Sequence, residues 1–161
     1  MRAIRPIQDR RSGFERAHGG CKKVSPERPK MRRTQQNGKR KVLIFDEDIE
    51  DLPRHAEPFE AHGFEVHKCM SVDAAMRSVE REEFEFALVD QCSLAFEGRR
   101  VIRHLVRYNS HTPFVVVARC KDMLCCQQAL TLGAMDYLEK PVPRAGMNWI
   151  IENCFGSSLT K

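Results

Sequence analysis

The sequence contains no apolar run approaching the roughly 18 to 20 residues that a membrane-spanning helix requires, and its Arg-rich start lacks the apolar core of a secretory leader. No internal repeat is visible, and no Cys-x-x-Cys spacing occurs among the seven cysteines Cys21, Cys69, Cys92, Cys120, Cys125, Cys126 and Cys154. An odd number of cysteines lying mostly within apolar segments argues against a disulfide framework and for reduced, buried thiols in a cytosolic protein. The histidines His55, His62, His67, His104 and His111 show no metal-ligand spacing across strand ends and read as surface or core fillers. These absences lead to the expectation of a cytoplasmic protein that does not enter a membrane.

The charge is unevenly distributed. Residues 1 to 41 carry 14 Lys and Arg against three acids, and residues 42 to 161 carry 13 against 19, so a tail of about +11 precedes a body of about −6. With almost no apolar periodicity, residues 1 to 40 cannot bury enough surface to offset ordering entropy, and they read as a disordered basic tail. Such an arm can touch nucleic acid or an anionic surface through phosphate neutralisation. The favoured readings are an inert solvated tail, or an extension not made at all, since Met31 can itself be a start. At the other end, residues 156–161 read as a short tail.

From Lys41 to about residue 155 the chain has the size of one domain with a sizeable core. Apolar runs alternate with stretches of helical period, which is the pattern of repeated β-α units. Strands are expected at 41–46, 64–69, 84–90, 113–118 and 135–139. Val72, Ala75, Met76 and Val79 form one helical stripe, Val101, Ile102, Leu105 and Val106 another, and Met147, Ile150 and Ile151 a last one. Ser71 is expected as an N-cap and Gly133 as the residue after a helix C-terminus. Pro53 suits an opening turn, whereas Pro58 sits where it should kink or break the first helix. Parallel strands with right-handed crossovers give a doubly wound, three-layer α/β domain.

Two short apolar runs end abruptly in acid: Val42 to Phe45 in Asp46, and Phe86 to Val89 in Asp90, 44 residues later. Each reads as a buried strand delivering a carboxylate to the edge where open α/β sheets bind ligands. Lys140 follows the last strand. Acids crowded at one edge are most simply stabilised by a divalent cation, and Mg²⁺ suits oxygen ligands that bridge carboxylate and phosphate. A carboxylate beside Mg²⁺ and a lysine can act as a nucleophile toward phosphorus. A lone acid at a strand end often only caps the following helix, but Lys140-Pro141 in register makes that reading the weaker one. Arg99, Arg100, Arg103 and Arg107, off the apolar stripe, read as a solvated face.

With these residues in place, segment 41–155 resembles the receiver domain of two-component response regulators. Val42-Leu43-Ile44-Phe45-Asp46-Glu47 is similar to the family's first strand with its acidic metal-binding pair, and Asp90, eight residues before Gly98, matches the phosphoacceptor. Gly133 to Pro141 resembles the closing motif. The resemblance implies a flavodoxin-like five-stranded parallel sheet of order 2-1-3-4-5 with helices on both faces. It also implies Mg²⁺ held by Asp46, Glu47, Asp90 and the Cys92 carbonyl, Lys140 as the phosphate-contacting lysine, and Tyr137 as the switch aromatic. The partners implied are a histidine kinase or a histidine phosphotransfer protein in a phosphorelay. Because only Gly156 to Lys161 follow the last helix, a single-domain regulator is expected. Its output would be protein contact with a downstream partner that the sequence does not identify, and its only catalysis self-phosphorylation and autodephosphorylation.

The sequence departs from the family at the end of the fourth strand, where a Thr or Ser is usual and Ala118 stands here. A methyl group cannot donate the hydrogen bond, a loss of roughly 1.5 to 3 kcal/mol where the partner is charged. The next residue, usually small, is Arg119, whose side chain either contacts phosphate or, as the preferred reading, points into solvent. The loop Gln91 to Glu97 also lacks a proline near Leu94. The competing expectation is therefore a receiver-like adaptor that works without phosphorylation. A metal-dependent phosphohydrolase ranks third, for want of a cap or a second aspartate two residues after the nucleophile.

Overall fold

The computed structural model describes residues 38–156. The expected basic tail 1–40 lies almost wholly outside that range, as does the short tail 156–161. Five strands and five helices alternate: β1 (Lys41–Phe45), α1 (Asp51–Ala61), β2 (Glu65–Cys69), α2 (Val72–Arg81), β3 (Phe86–Asp90), α3 (Arg99–Tyr108), β4 (Phe114–Ala118), α4 (Met123–Thr131), β5 (Asp136–Glu139) and α5 (Arg144–Phe155). All four strand pairings are parallel and the order is β2-β1-β3-β4-β5, the flavodoxin-like arrangement that the resemblance implied.

Strand side chains alternate between faces, and the sheet therefore divides the interior in two. Leu43, Phe45, Ala87, Val89 and Val116 pack under α2, α3 and α4. Val42, Ile44, Phe86, Leu88, Val115 and Val117 pack under α1 and α5. β3 and β4 are buried along their full length, as strands covered on both faces must be, which explains their unbroken apolar runs.

The helix stripes fall inward as the period required, except that Val106 is exposed. Ser71 caps α2 by accepting the Ala74 N–H at 3.2 Å. Gly133 follows α4 with φ +100°, a conformation that disfavours any side chain.

Pro58 neither breaks nor ends α1, which runs through it to Ala61. An interior proline costs about 3 kcal/mol, but α1 is held by tertiary contacts. Leu52, Ala56 and Phe59 are buried, and the Phe59 ring stacks on Phe86 at 5.3 Å between centroids.

Cys69, Cys92, Cys120, Cys125 and Cys154 are free thiols, as expected, although Cys120 is exposed and not buried. Among the described residues no helix is long and apolar enough to cross a membrane.

Candidate functional site at the carboxyl edge of the sheet

β1 and β3 are direct neighbours with Phe45 opposite Val89, so the next residue on each strand, Asp46 and Asp90, emerges side by side at the carboxyl edge. Apolar packing delivers both to the rim, and both are themselves buried. Lys140 follows β5, two strands from Asp90, with its N–H donating to the Ala118 carbonyl at 2.8 Å. Its long side chain crosses back toward β1. The ammonium lies 2.7 Å from Asp46 Oδ1, 3.3 Å from Asp90 Oδ2 and 3.6 Å from Asp51 Oδ2.

The two aspartates titrate in opposite directions. Burial works against ionisation of Asp46, but hydrogen bonds from His55, Lys140 and the Asp48 N–H outweigh it and hold its carboxyl below the ordinary range. Asp90 is raised, first by burial and then by the charge of Asp46, against the pull of Lys140 and of the Cys92 and Glu47 N–H groups. Those N–H groups lie 3.2 and 3.4 Å from its carboxylate oxygens. Lys140 keeps its proton: burial opposes the charge, and the two aspartates more than compensate.

The loop after Asp90 is tightly shaped. Cys92 and Phe96 have φ of +71° and +56°, left-handed values that few side chains adopt. Ser93 Oγ donates to Glu97 at 2.8 Å. A Cβ placed on Gly98 would lie 1.9 Å from the Asp90 carbonyl oxygen, so only glycine allows α3 to start this close to the acid. The Cys92 thiol is pushed well above its usual range by burial and by Asp90 and Glu47. The Glu47 side chain is exposed at the rim.

Tyr137, on β5, is buried to 1% exposure and its hydroxyl donates to Gln91 Oε1. Ala118 lies buried at the end of β4. The Arg119 side chain, 65% exposed, is paired with Asp48, the residue whose Oδ1 accepts the Glu50 N–H at 2.8 Å just ahead of α1. Arg119 thus stays exposed to solvent and pairs there with Asp48.

Sequence reasoning found no partner for four residues. His55, read as a filler, is 3% exposed with Nδ1 2.9 Å from Asp46 Oδ2. The ionised carboxylate only accepts, so Nδ1 carries the proton. Asp51 reaches Lys140, Asp48 holds Arg119, and Gln91 holds Tyr137. A signal was present for the first two: positions 51 and 55 are one helical turn apart, on the same side of α1 as Leu52, Ala56 and Phe59.

The donor set suits a hard divalent cation, because the ligating atoms available are carboxylate and carbonyl oxygens and the acids exceed Lys140 in charge. Among the described residues no group of three or more His, Cys, Asp or Glu side chains is already converged on a metal position. Asp46 and Asp90 share the Lys140 ammonium.

A doubly wound parallel sheet with acids and a lysine gathered at the carboxyl ends of β1, β3 and β5 defines a class of α/β domains that act at that edge. The chain belongs to the response regulator receiver domain family, which it matches over residues 42–152. It is 30% identical over 100 residues to the acid tolerance regulatory protein ActR of Rhizobium meliloti (strain 1021), covering 62% of this chain and 52% of ActR. It is 28% identical over 102 residues to the photosynthetic apparatus regulatory protein RegA of Rhodobacter capsulatus, covering 63% and 55%. The chain therefore spans about half the length of these curated relatives. Among solved structures, a CheY-like receiver domain protein from Methanospirillum hungatei JF-1 superposes with a TM-score of 0.65 at 23% identity, covering 71% of this chain and 92% of that one. A Burkholderia pseudomallei response regulator, crystallised with a phosphorylated aspartic acid, a calcium ion and citrate, superposes at 0.63 and 23% identity, covering 71% and 66%.

Proposed function

We propose that the domain accepts a phosphoryl group on Asp90 from a phosphohistidine of a histidine kinase or phosphotransfer protein in the cytoplasm, as a step of a phosphorelay. Its output then passes through protein contact. The observation that carries this reading is the buried Asp90 carboxylate held 3.3 Å from the Lys140 ammonium, next to Asp46. In the transfer an Asp90 oxygen forms the new O–P bond, the P–N bond of the donor breaks, and its electron pair returns to the imidazole, which takes up a proton. Lys140 neutralises charge on the equatorial oxygens, and the Cys92 and Glu47 N–H groups orient the carboxylate. Asp46, Glu47, Asp90 and the Cys92 carbonyl would hold Mg²⁺, which when bound supplies further charge neutralisation for the transferring group. The phosphorylated aspartate and calcium of the Burkholderia protein support an acceptor and a cation at this edge. No separate substrate is turned over; catalysis is confined to self-phosphorylation and autodephosphorylation.

The test is incubation of the full chain with acetyl phosphate and Mg²⁺, followed by mass spectrometry and hydroxylamine lability. One hydroxylamine-labile phosphoryl group on Asp90 is expected, absent in Asp90→Asn and in EDTA. An unmodified wild type, or equal labelling of Asp90→Asn, overturns the reading. A second reading, an adaptor that works without phosphorylation, is favoured by Ala118 and by the inward hold on Tyr137. It differs in expecting no Mg²⁺-dependent change in Trp149 fluorescence.

A further inference from the structure

Gln91 follows Asp90 at the end of β3 and is a polar side chain buried to 3% exposure. Its backbone N–H donates to the Val117 carbonyl at 2.8 Å, which ties it to β4. Both ends of its amide are used. Nε2 donates to the Ser93 carbonyl at 3.0 Å, and Oε1 accepts the Tyr137 hydroxyl. The Tyr137 oxygen in turn lies 3.4 Å from the Cys120 carbonyl and 3.4 Å from the Asp122 N–H. Asp122 caps α4 by accepting the Cys125 N–H at 2.7 Å. One continuous set of buried and partly buried contacts thus runs from the acceptor loop through Gln91 and Tyr137 to the β4–α4 junction.

We propose that Gln91 is a positioning residue that fixes Tyr137 inward, and with it the β4–α4 junction, in one arrangement whether or not Asp90 carries a phosphoryl group. A bound group shifts a conformational equilibrium only by as much as it interacts differently with the two states. The end of β4 carries the methyl of the buried Ala118, which has no hydrogen-bonding group to offer a phosphoryl oxygen. Moving the ring outward would strand Gln91 Oε1 in the core without a donor, an outcome buried polar groups resist. The domain would then carry phosphate without reshaping the surface formed by α4 and β5. The phosphorylated half of this proposal rests on the acceptor role of Asp90; the hold on Tyr137 does not.

The experiment uses the full chain with ¹³C-labelled tyrosine. The sequence has only Tyr108 and Tyr137, so the two ring signals are assigned with one variant. NMR and hydrogen exchange over residues 119–126 are recorded with and without Mg²⁺ and beryllofluoride as the phosphoryl mimic, and ¹⁹F NMR reports separately whether the mimic binds. In the wild type the Tyr137 signal and the 119–126 exchange are expected to stay unchanged while residues 91–98 respond. In Gln91→Met, isosteric but without the amide, exchange over 119–126 rises about tenfold, the equivalent of one buried hydrogen bond. Gln91→Glu, which keeps an acceptor oxygen, restores protection. Tyr137→Phe reproduces the Gln91→Met effect and decides the matter if Gln91→Met fails to fold. A wild-type Tyr137 signal that moves with bound mimic overturns the proposal, as does unchanged exchange in both Gln91→Met and Tyr137→Phe. If ¹⁹F NMR shows only free mimic, the acceptor reading fails on its own, and the metal-free comparison of variants still decides the role of Gln91.

Discussion

At the scale of single residues, close approach and burial set what each position tolerates. Gly98→Ala places a methyl 1.9 Å from the Asp90 carbonyl oxygen, and neither backbone can yield. Overpacking of this kind costs about 3 kcal/mol, so a matching drop in urea-unfolding free energy is expected; an unchanged midpoint would refute the steric account. Asp90→Asn should act in the opposite direction. Burial and the neighbouring Asp46 charge hold the Asp90 carboxyl above its usual range, so the fold resists its ionised form. The amide variant is expected to be more stable at pH 7, seen as a higher melting temperature. Cys154 supplies a pH dependence. Burial raises its thiol from 9.0 to about 11, so the folded state binds the proton more tightly than the unfolded chain does. Its contribution to stability is fully present below pH 9 and is lost as pH rises through about 11. Comparing urea unfolding of wild type and Cys154→Val across that window should show a shallower loss in the variant.

At the scale of elements, local signals and tertiary contacts divide the work. Ser71 both looks like and acts as an N-cap, and Ser71→Ala is expected to lower stability by about 1 kcal/mol in thermal or urea unfolding. The run Val42 to Phe45, the run Phe86 to Val89 and the glycine at 133 were legible in the same way, because strand burial on both faces and a positive φ leave marks on residue type. Pro58 was not legible. Helix propensity argues for a break at that point, and the packing of Leu52, Ala56 and Phe59 overrides it, a term that no local window of sequence contains. His55 illustrates the same limit at the site. It is one helical turn beyond Asp51, yet only the docking of α1 against the sheet shows that it faces Asp46.

At the scale of the whole molecule, the site is a junction of β1, β3 and β5, and Lys140 connects all three. Lys140→Met leaves Asp46 and Asp90 buried without their shared cation, and removal of one partner from a buried ion pair costs about 3 to 5 kcal/mol. Urea unfolding is expected to show a loss of that order, partly restored by millimolar Mg²⁺. A variant as stable as wild type without metal would show that the lysine does not hold the acids together.

The alternation of apolar runs and helical stripes, the acids closing β1 and β3, and the lysine after β5 are properties of chain order, because strand and helix periods and the abrupt end of burial are written in residue type. They determined the fold class and the residues gathered at the edge. The partners were decided only when the elements closed on one another: His55 on Asp46, Arg119 on Asp48, and Gln91 on Tyr137. These pairs join residues 9, 71 and 46 positions apart. Whether such side chains meet depends on strand register, helix docking and loop shape, which are set by packing across the whole domain.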